Sequence, residues 1–246
     1  MNDVVKLEIV DNHIAIITMQ DSNAKNCFSM DLITGLNNFF EQVHYNDAVK
    51  VILLKGLDSY FCCGGTKEML MELAQGKGTF ADYPFYRLLL DCEIPVIAAM
   101  KGHALGGGFA FSTFADIMIM AEESTYASNF MKYGFTPGFG ATFIMPYKFG
   151  TVLGAELLYT AQEYEGRDLK ARNVPIRIVP RAQVDSVAMN IAKDLIQKPK
   201  VSLKLLKQHL IQKIKNDLPK AVEQELAMHK VSFNLPVVKE NIEKLF

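Results

Sequence analysis

Residues 95–121, PVIAAMKGHALGGGFAFSTFADIMIMA, decide the fold. Pro95 precedes a short apolar strand, Val96–Met100. Gly106-Gly107-Gly108 then turn the chain and open a helix, and Ile117–Ala121 forms the next strand. Strand, turn, helix and strand in this order imply an α/β architecture with right-handed crossovers.

Upstream, the same grammar repeats. Val5–Val10 and Ile14–Met19 flank the turn-forming pair Asp11-Asn12 and read as a β-hairpin. Ser29 can cap a helix whose apolar residues Ile33, Leu36, Phe40 and Val43 follow helical spacing. Val49–Leu54 is a short buried strand. Gly64-Gly65 marks a turn, a short helix begins near Lys67, and Gly76-Lys77-Gly78 breaks it. Another helix is expected over Tyr83–Cys92.

Downstream, the last strand lies near Ile176–Val179, and from Gln183 the chain reads as helical. Val184, Val187, Ile191 and Leu195 form one stripe, and Leu203, Leu206, Leu210 and Ile214 a second. Pro199, Pro219 and Pro236 punctuate these helices, with a new helix expected near Pro219. The expected division is an α/β core over 1–182 and a helical C-terminal region over 183–246.

The composition narrows the function classes. Of 246 residues, 50% are hydrophobic and 22% charged, which is a globular balance. With 26 Lys+Arg against 27 Asp+Glu, the net charge of −1 argues against a nucleic-acid binder. Four cysteines, Cys27, Cys62, Cys63 and Cys92, lack paired zinc-ligand spacing and do not make a disulfide scaffold. They read as reduced thiols of a cytoplasmic protein. The longest mainly apolar stretch, Ala104–Met120, contains three glycines and Asp116 and is too short to span a bilayer.

Two glycine motifs carry the candidate chemistry, FCCGGT at Phe61–Thr66 and KGHALGGG at Lys101–Gly108. Each follows a strand and precedes a helix, so each presents unpaired backbone N–H groups at a helix start. Two such groups converging on one carbonyl make an oxyanion hole. Each motif taken alone is also explained as a tight turn.

In order along the chain, FCCGGT, PVIAAMKGHALGGG and ADIMIMAEESTYA resemble the crotonase (enoyl-CoA hydratase/isomerase) superfamily. The resemblance implies a ββα-repeat core with a helical C-terminal part. It further implies a thioester oxyanion hole made by the Gly65 and Gly107 amides, and assembly as trimers or dimers of trimers. By the same resemblance, NAKN at Asn23–Asn26 is the loop beside the pantetheine or nucleotide of the acyl carrier.

The two glutamates of the family's hydratases are missing. Ala110 stands two residues after the GGG motif, and Phe130 stands at the second position. Neither side chain exchanges a proton, so hydration by paired carboxylates is excluded. His229 lies instead on the stripe Val222, Leu226, His229, Phe233, with Glu225 one turn earlier to orient or charge its ring. His103 reads as structural, and His13, His44 and His209 as surface or packing residues.

The segments GKGTF, NFMKYGFTPGFGAT and ELAMHKVSFN resemble a subgroup, the hydratase-like decarboxylases of polyketide β-branching. These act on 3-methylglutaconyl groups held on an acyl carrier protein and use a lysine and a C-terminal histidine. The match carries over to Lys77 and His229, with Lys67 a competitor for the lysine. Phe130, Phe135 and Ala110 are expected to supply an apolar pocket. No metal or organic cofactor is required, because the thioester is its own electron sink. An isomerase or decarboxylase of a CoA thioester, a non-catalytic thioester-binding subunit and an RNA-binding crotonase stand as alternatives. The six lysines of Lys198–Lys215 could meet an acidic carrier helix, although a solvated helix face explains them equally.

Overall fold

The computed structural model describes residues 4–246. The hairpin forms as the sequence implies, β1 (Val5–Val10) antiparallel to β2 (Ile14–Met19). Asp11 and Asn12 turn it at φ of 50° and 56°, a left-handed region that short polar side chains tolerate. Helix α1 (Met30–His44) follows, and the Ser29 hydroxyl accepts from the Leu32 N–H at 3.2 Å. Its apolar stripe, with Ile33, Leu36, Phe40 and Val43, is buried.

Three long strands then alternate with three short ones. β3 (Val51–Lys55), β4 (Tyr60–Cys62) and α2 (Lys67–Ala74) form the first unit. After a short α3 (Leu88–Asp91) come β5 (Val96–Met100), β6 (His103–Leu105) and α4 (Gly107–Ser112). β7 (Ile117–Ala121), β8 (Thr125–Ala127), α5 (Ala141–Phe149) and α6 (Thr151–Thr160) form the third. β9 (Tyr164–Glu165), α7 (Gly166–Ala171) and β10 (Arg177–Val179) complete the sheets. The long strands and the three-residue β10 build one sheet in the order β1-β2-β3-β5-β7-β10, and the other short strands a second, β4-β6-β8-β9. Strands β4, β6, β8 and β9, of only two or three residues, were not expected from the sequence, whereas β10 lies where a strand was expected.

Alternate residues of the large sheet face opposite sides, and both sides are covered. Ile52, Leu54, Val96 and Ala98 join the main core. Val51, Leu53, Ile97 and Ala99 pack beneath α8 (Val184–Ile196), where Ala188 and Ala192 are fully buried. Then follow α9 (Lys200–Ser232) and α10 (Pro236–Leu245).

Three local expectations are corrected. The helix over Tyr83–Cys92 is instead two 3-10 turns, Phe80–Asp82 and Pro84–Arg87, followed by α3. Pro84 disfavours helical geometry at the residue before it, and Tyr83 sits at φ −119°, ψ 67°. Pro219 starts no new helix but lies inside α9, where it forfeits one backbone hydrogen bond.

The third correction concerns the second apolar stripe. Leu206 and Leu210 are 56% and 61% exposed, whereas Leu203, Lys207, Ile211, Ile214 and Leu218 face inward. A lysine can hold the interior position because its ammonium is satisfied there. Lys207 Nζ donates to the Leu89 carbonyl (2.9 Å), the Ile94 carbonyl (3.1 Å) and the Asp116 carboxylate (2.7 Å). Asp116 also accepts from the Val96 N–H at 2.8 Å, so the pair bolts α9 to the large sheet.

Candidate active site

The two glycine loops meet because neither carries side chains where they touch. A Cβ on Gly64, at φ 83°, would lie 2.9 Å from the Gly107 nitrogen. A Cβ on Gly108 would lie 2.2 Å from the Cys62 carbonyl oxygen. Glycine is therefore required at both positions. The Phe28 N–H donates to the Gly64 carbonyl at 2.7 Å and fixes the first loop from behind. Among the described residues, neither the Gly65 nor the Gly107 N–H donates to a backbone carbonyl outside its own helix, and both residues line one small cavity of about 30 Å³. This brings together the two amides expected to form an oxyanion hole.

The rest of that cavity is mostly apolar. Phe80, Phe130, Phe135 and Phe139 line it, as do Asn129, Tyr133 and Phe246. Phe130 and Phe135 thus stand where an apolar pocket was expected. Ala110 does not line the cavity and is buried within α4. Cys63 contributes a thiol that burial pushes up to about 12, so it stays protonated. All four cysteines are free, and the Cys62 thiol donates to the Asn26 carbonyl at 3.0 Å. The Asn26 amide in turn ties its loop to the Met19, Tyr60 and Phe61 carbonyls at 3.0–3.2 Å.

His229 is buried on α9, as its stripe implies. Its Nε2 lies 3.0 Å from both the Thr136 and the Pro137 carbonyl oxygens. Carbonyls only accept, so Nε2 carries the hydrogen and Nδ1 keeps the free position. Nδ1 is buried and has no hydrogen-bond partner among the described residues. Burial holds the imidazole below its usual pKa of 6.5, while the two carbonyls pull it part of the way back up.

Glu225 does not orient this ring. Its carboxylate accepts from the Gly140 N–H (2.8 Å), the Thr142 N–H (2.9 Å) and the Thr142 hydroxyl (2.6 Å). It therefore caps the N-terminus of α5 from a different helix, and burial raises its pKa. A sequence spacing of four, which brings two helical residues close, did not decide which of them would pair. The residues that do orient the ring, Thr136 and Pro137, lie in the segment GFTPGFGAT, which was noted only for its resemblance.

The lysines fall differently. Lys77 is exposed on the loop between Gly76 and Gly78, and lines neither the cavity at Gly65 and Gly107 nor the cavity beside His229. Lys67 donates to the Glu243 carbonyl at 3.2 Å and ties α2 to the end of α10. His103 accepts from the Thr125 N–H at 2.8 Å, a structural role. Of the lysines over 198–215, Lys200 bonds the Asn46 and Asp47 carbonyls, Lys204 pairs with Glu93, Lys213 with Asp217 and Lys215 with Asp91. With Lys207 buried, that stretch is a paired helix face. Among the described residues, no group of three or more His, Cys, Asp and Glu side chains is arranged to hold a metal ion, and no helix is long and apolar enough to cross a membrane.

The chain is similar to known proteins along its whole length. It is 47% identical over 245 residues to the bacillaene synthase decarboxylase PksI of Bacillus subtilis (strain 168), covering 100% of this chain and 98% of that protein. A solved structure from a dehydratase/decarboxylase enzyme couple involved in polyketide β-branching superposes with a TM-score of 0.97 at 47% identity, covering 99% of this chain and 96% of the other. The ECH2 decarboxylase domain of CurF from Lyngbya majuscula superposes with a TM-score of 0.94 at 39% identity, over 100% of both chains. Residues 10–245 match the enoyl-CoA hydratase/isomerase family, and with this coverage and these glycine loops the chain belongs to that family.

Proposed function

We propose that the protein decarboxylates a 3-methylglutaconyl thioester on an acyl carrier protein to the 3-methylcrotonyl thioester, a step of polyketide β-branching. The observation that carries this reading is the pairing of two free glycine amides with an apolar cavity. The positions of the hydratase carboxylates are Ala110 and Phe130, and the histidine nearby has one free ring nitrogen. The 47% identity to a bacillaene synthase decarboxylase supports it.

The substrate carboxylate is linked through C4 and a C=C bond to the thioester. Breaking the bond between C4 and the carboxylate releases CO₂ and sends the electron pair through the C=C bond onto the thioester oxygen. The Gly65 and Gly107 amides stabilise this dienolate. His229, protonated on Nδ1, gives that proton to carbon, while Nε2–H stays on its carbonyls. Delivery to C4 yields the 3-methylcrotonyl product, and delivery to C2 its double-bond isomer. The apolar surroundings favour conversion of a charged carboxylate into neutral CO₂.

Lys77 orients the departing carboxylate as a point-charge donor. Binding that charge too tightly would oppose its loss, so positioning is its main contribution. The 183–246 region closes the site with α9 and α10. It also supports assembly as a cytoplasmic homotrimer or dimer of trimers, for which exposed Val201 (67%), Leu205 (61%) and Leu210 (61%) provide apolar surface.

Mass spectrometry of 3-methylglutaconyl-carrier protein incubated with the enzyme tests the proposal. Loss of the mass of one CO₂ is expected, and it should fail in His229→Ala and Lys77→Ala. Binding without turnover by the wild type would make the protein a thioester-binding subunit. A preference for the CoA thioester would move it outside carrier-bound chemistry.

A further inference from the structure

The oxyanion cavity of about 30 Å³ has room for one or two water molecules. A 3-methylglutaconyl group, with six carbons of which one is its carboxylate, does not fit. A second, open cavity of about 530 Å³ lies beside it, lined among others by Leu73, Gly78, Thr79, His229 and Phe233. One aromatic ring lines both cavities, that of Phe80. It is 4% exposed. Its ring centroid lies 4.6 Å from that of Phe139, 5.1 Å from His229 and 5.9 Å from Phe233. Gly138 makes room for it, since a Cβ there would lie 2.5 Å from Phe80 Cδ2 and 2.9 Å from His229 Cε1.

We propose that Phe80 is the gating residue of the acyl site: its ring withdraws as a thioester binds, joining the oxyanion hole to His229. The proposal rests on the decarboxylase reading above for the identity of the acyl group. The segment carrying the ring is built to move. Gly76 and Gly78 sit at φ 74° and 136°, and a Cβ on Gly76 would meet nothing within 4 Å. Thr79 is clasped to Asp82 through its N–H (2.7 Å) and its hydroxyl (3.2 Å), which makes residues 79–82 a unit.

The Phe80 side chain itself is held only by apolar and ring contacts, which an acyl group can replace one for one. The same displacement carries Lys77, three residues earlier, off its present solvent-exposed position. One motion therefore accounts for the three features that this closed arrangement leaves separate: the glycine amides, His229 and Lys77.

Stopped-flow binding of 3-methylcrotonyl-pantetheine, which carries no carboxylate to lose, tests the gate without turnover. Wild-type association is expected to reach a ceiling as the thioester concentration rises, because opening limits it. Phe80→Ala should raise that ceiling about tenfold or more, and Phe80→Leu, which keeps apolar bulk, should fall between. Equal association rates in all three would overturn the gate. So would a crystal structure of the wild-type complex with the acyl group at Gly65 and Gly107 and the Phe80–Phe139 rings unmoved. A complex with Phe80 displaced, from an enzyme that releases no CO₂, would uphold the gate and sink the decarboxylase reading alone.

Discussion

The imidazole of His229 packs edge-on against the ring of Phe80, with centroids 5.1 Å apart and planes at 70°. One face of the histidine environment is thus aromatic, and the other is the pair of carbonyls at Thr136 and Pro137. Such a ring is held in position and left with one free nitrogen.

That arrangement sets a pH dependence. The imidazole pKa is lowered by burial, so the Nδ1-protonated acid becomes populated only as the pH falls below about 6.5. Turnover limited by proton delivery should rise toward acid through that lowered value. His229→Ala should flatten the profile and cut kcat by about 10²–10⁴ while thioester binding persists. The stability contribution has the opposite slope. The folded chain favours the neutral ring, so this contribution is complete above about pH 6.5 and is lost as the pH falls through the lowered pKa. A kcat profile and urea melts across this range check both signs.

Gly64→Ala strains a residue at φ 83° and drives a methyl group to within 2.9 Å of the Gly107 nitrogen. It should push the two amides apart. The expected result is a loss of about 10²–10³ in kcat, the usual effect of losing one oxyanion donor. Steady-state kinetics on the carrier-bound substrate, with circular dichroism to confirm folding, measures it.

Glu225→Ala removes the acceptor of two backbone N–H groups and one hydroxyl at the start of α5. We expect a stability loss of about 2–4 kcal/mol by denaturant melts. The NMR titration of His229 should hardly move, because the carboxylate bonds to α5 and not to the ring. A large shift of that titration would restore Glu225 as the orienting residue.

Lys207→Met breaks a buried pair and leaves Asp116 with only the Val96 N–H. A loss of about 3–5 kcal/mol is expected. The double variant with Asp116→Leu should recover part of it in the same melts.

The two candidate lysines separate cleanly. Lys77→Ala should cut turnover with an unchanged melting midpoint, because among the described residues no hydrogen bond or ion pair holds its exposed side chain in place. Lys67→Ala should leave turnover largely intact and loosen α10, whose Glu243 carbonyl it caps. Hydrogen exchange of residues 236–245 reads the second effect.

The sequence alone determined the α/β core, the two glycine loops and the lack of a carboxylate at Ala110 and Phe130. These are local facts: a glycine needed for a close approach, or an alanine where a carboxylate must be, is legible one residue at a time. His229 was legible too, as an imidazole on an apolar stripe. Other features were decided by tertiary structure. The partner of Glu225 lies more than eighty residues away, and the interior face of α9 includes Lys207 only because Asp116 and two carbonyls await it. The position of Phe80 between the two cavities is likewise a property of five packed rings drawn from distant segments. Hydrophobic period reports which residues avoid water, but not which buried polar group finds a partner or which ring fills a gap. Those outcomes depend on distances that exist only once the chain has closed on itself.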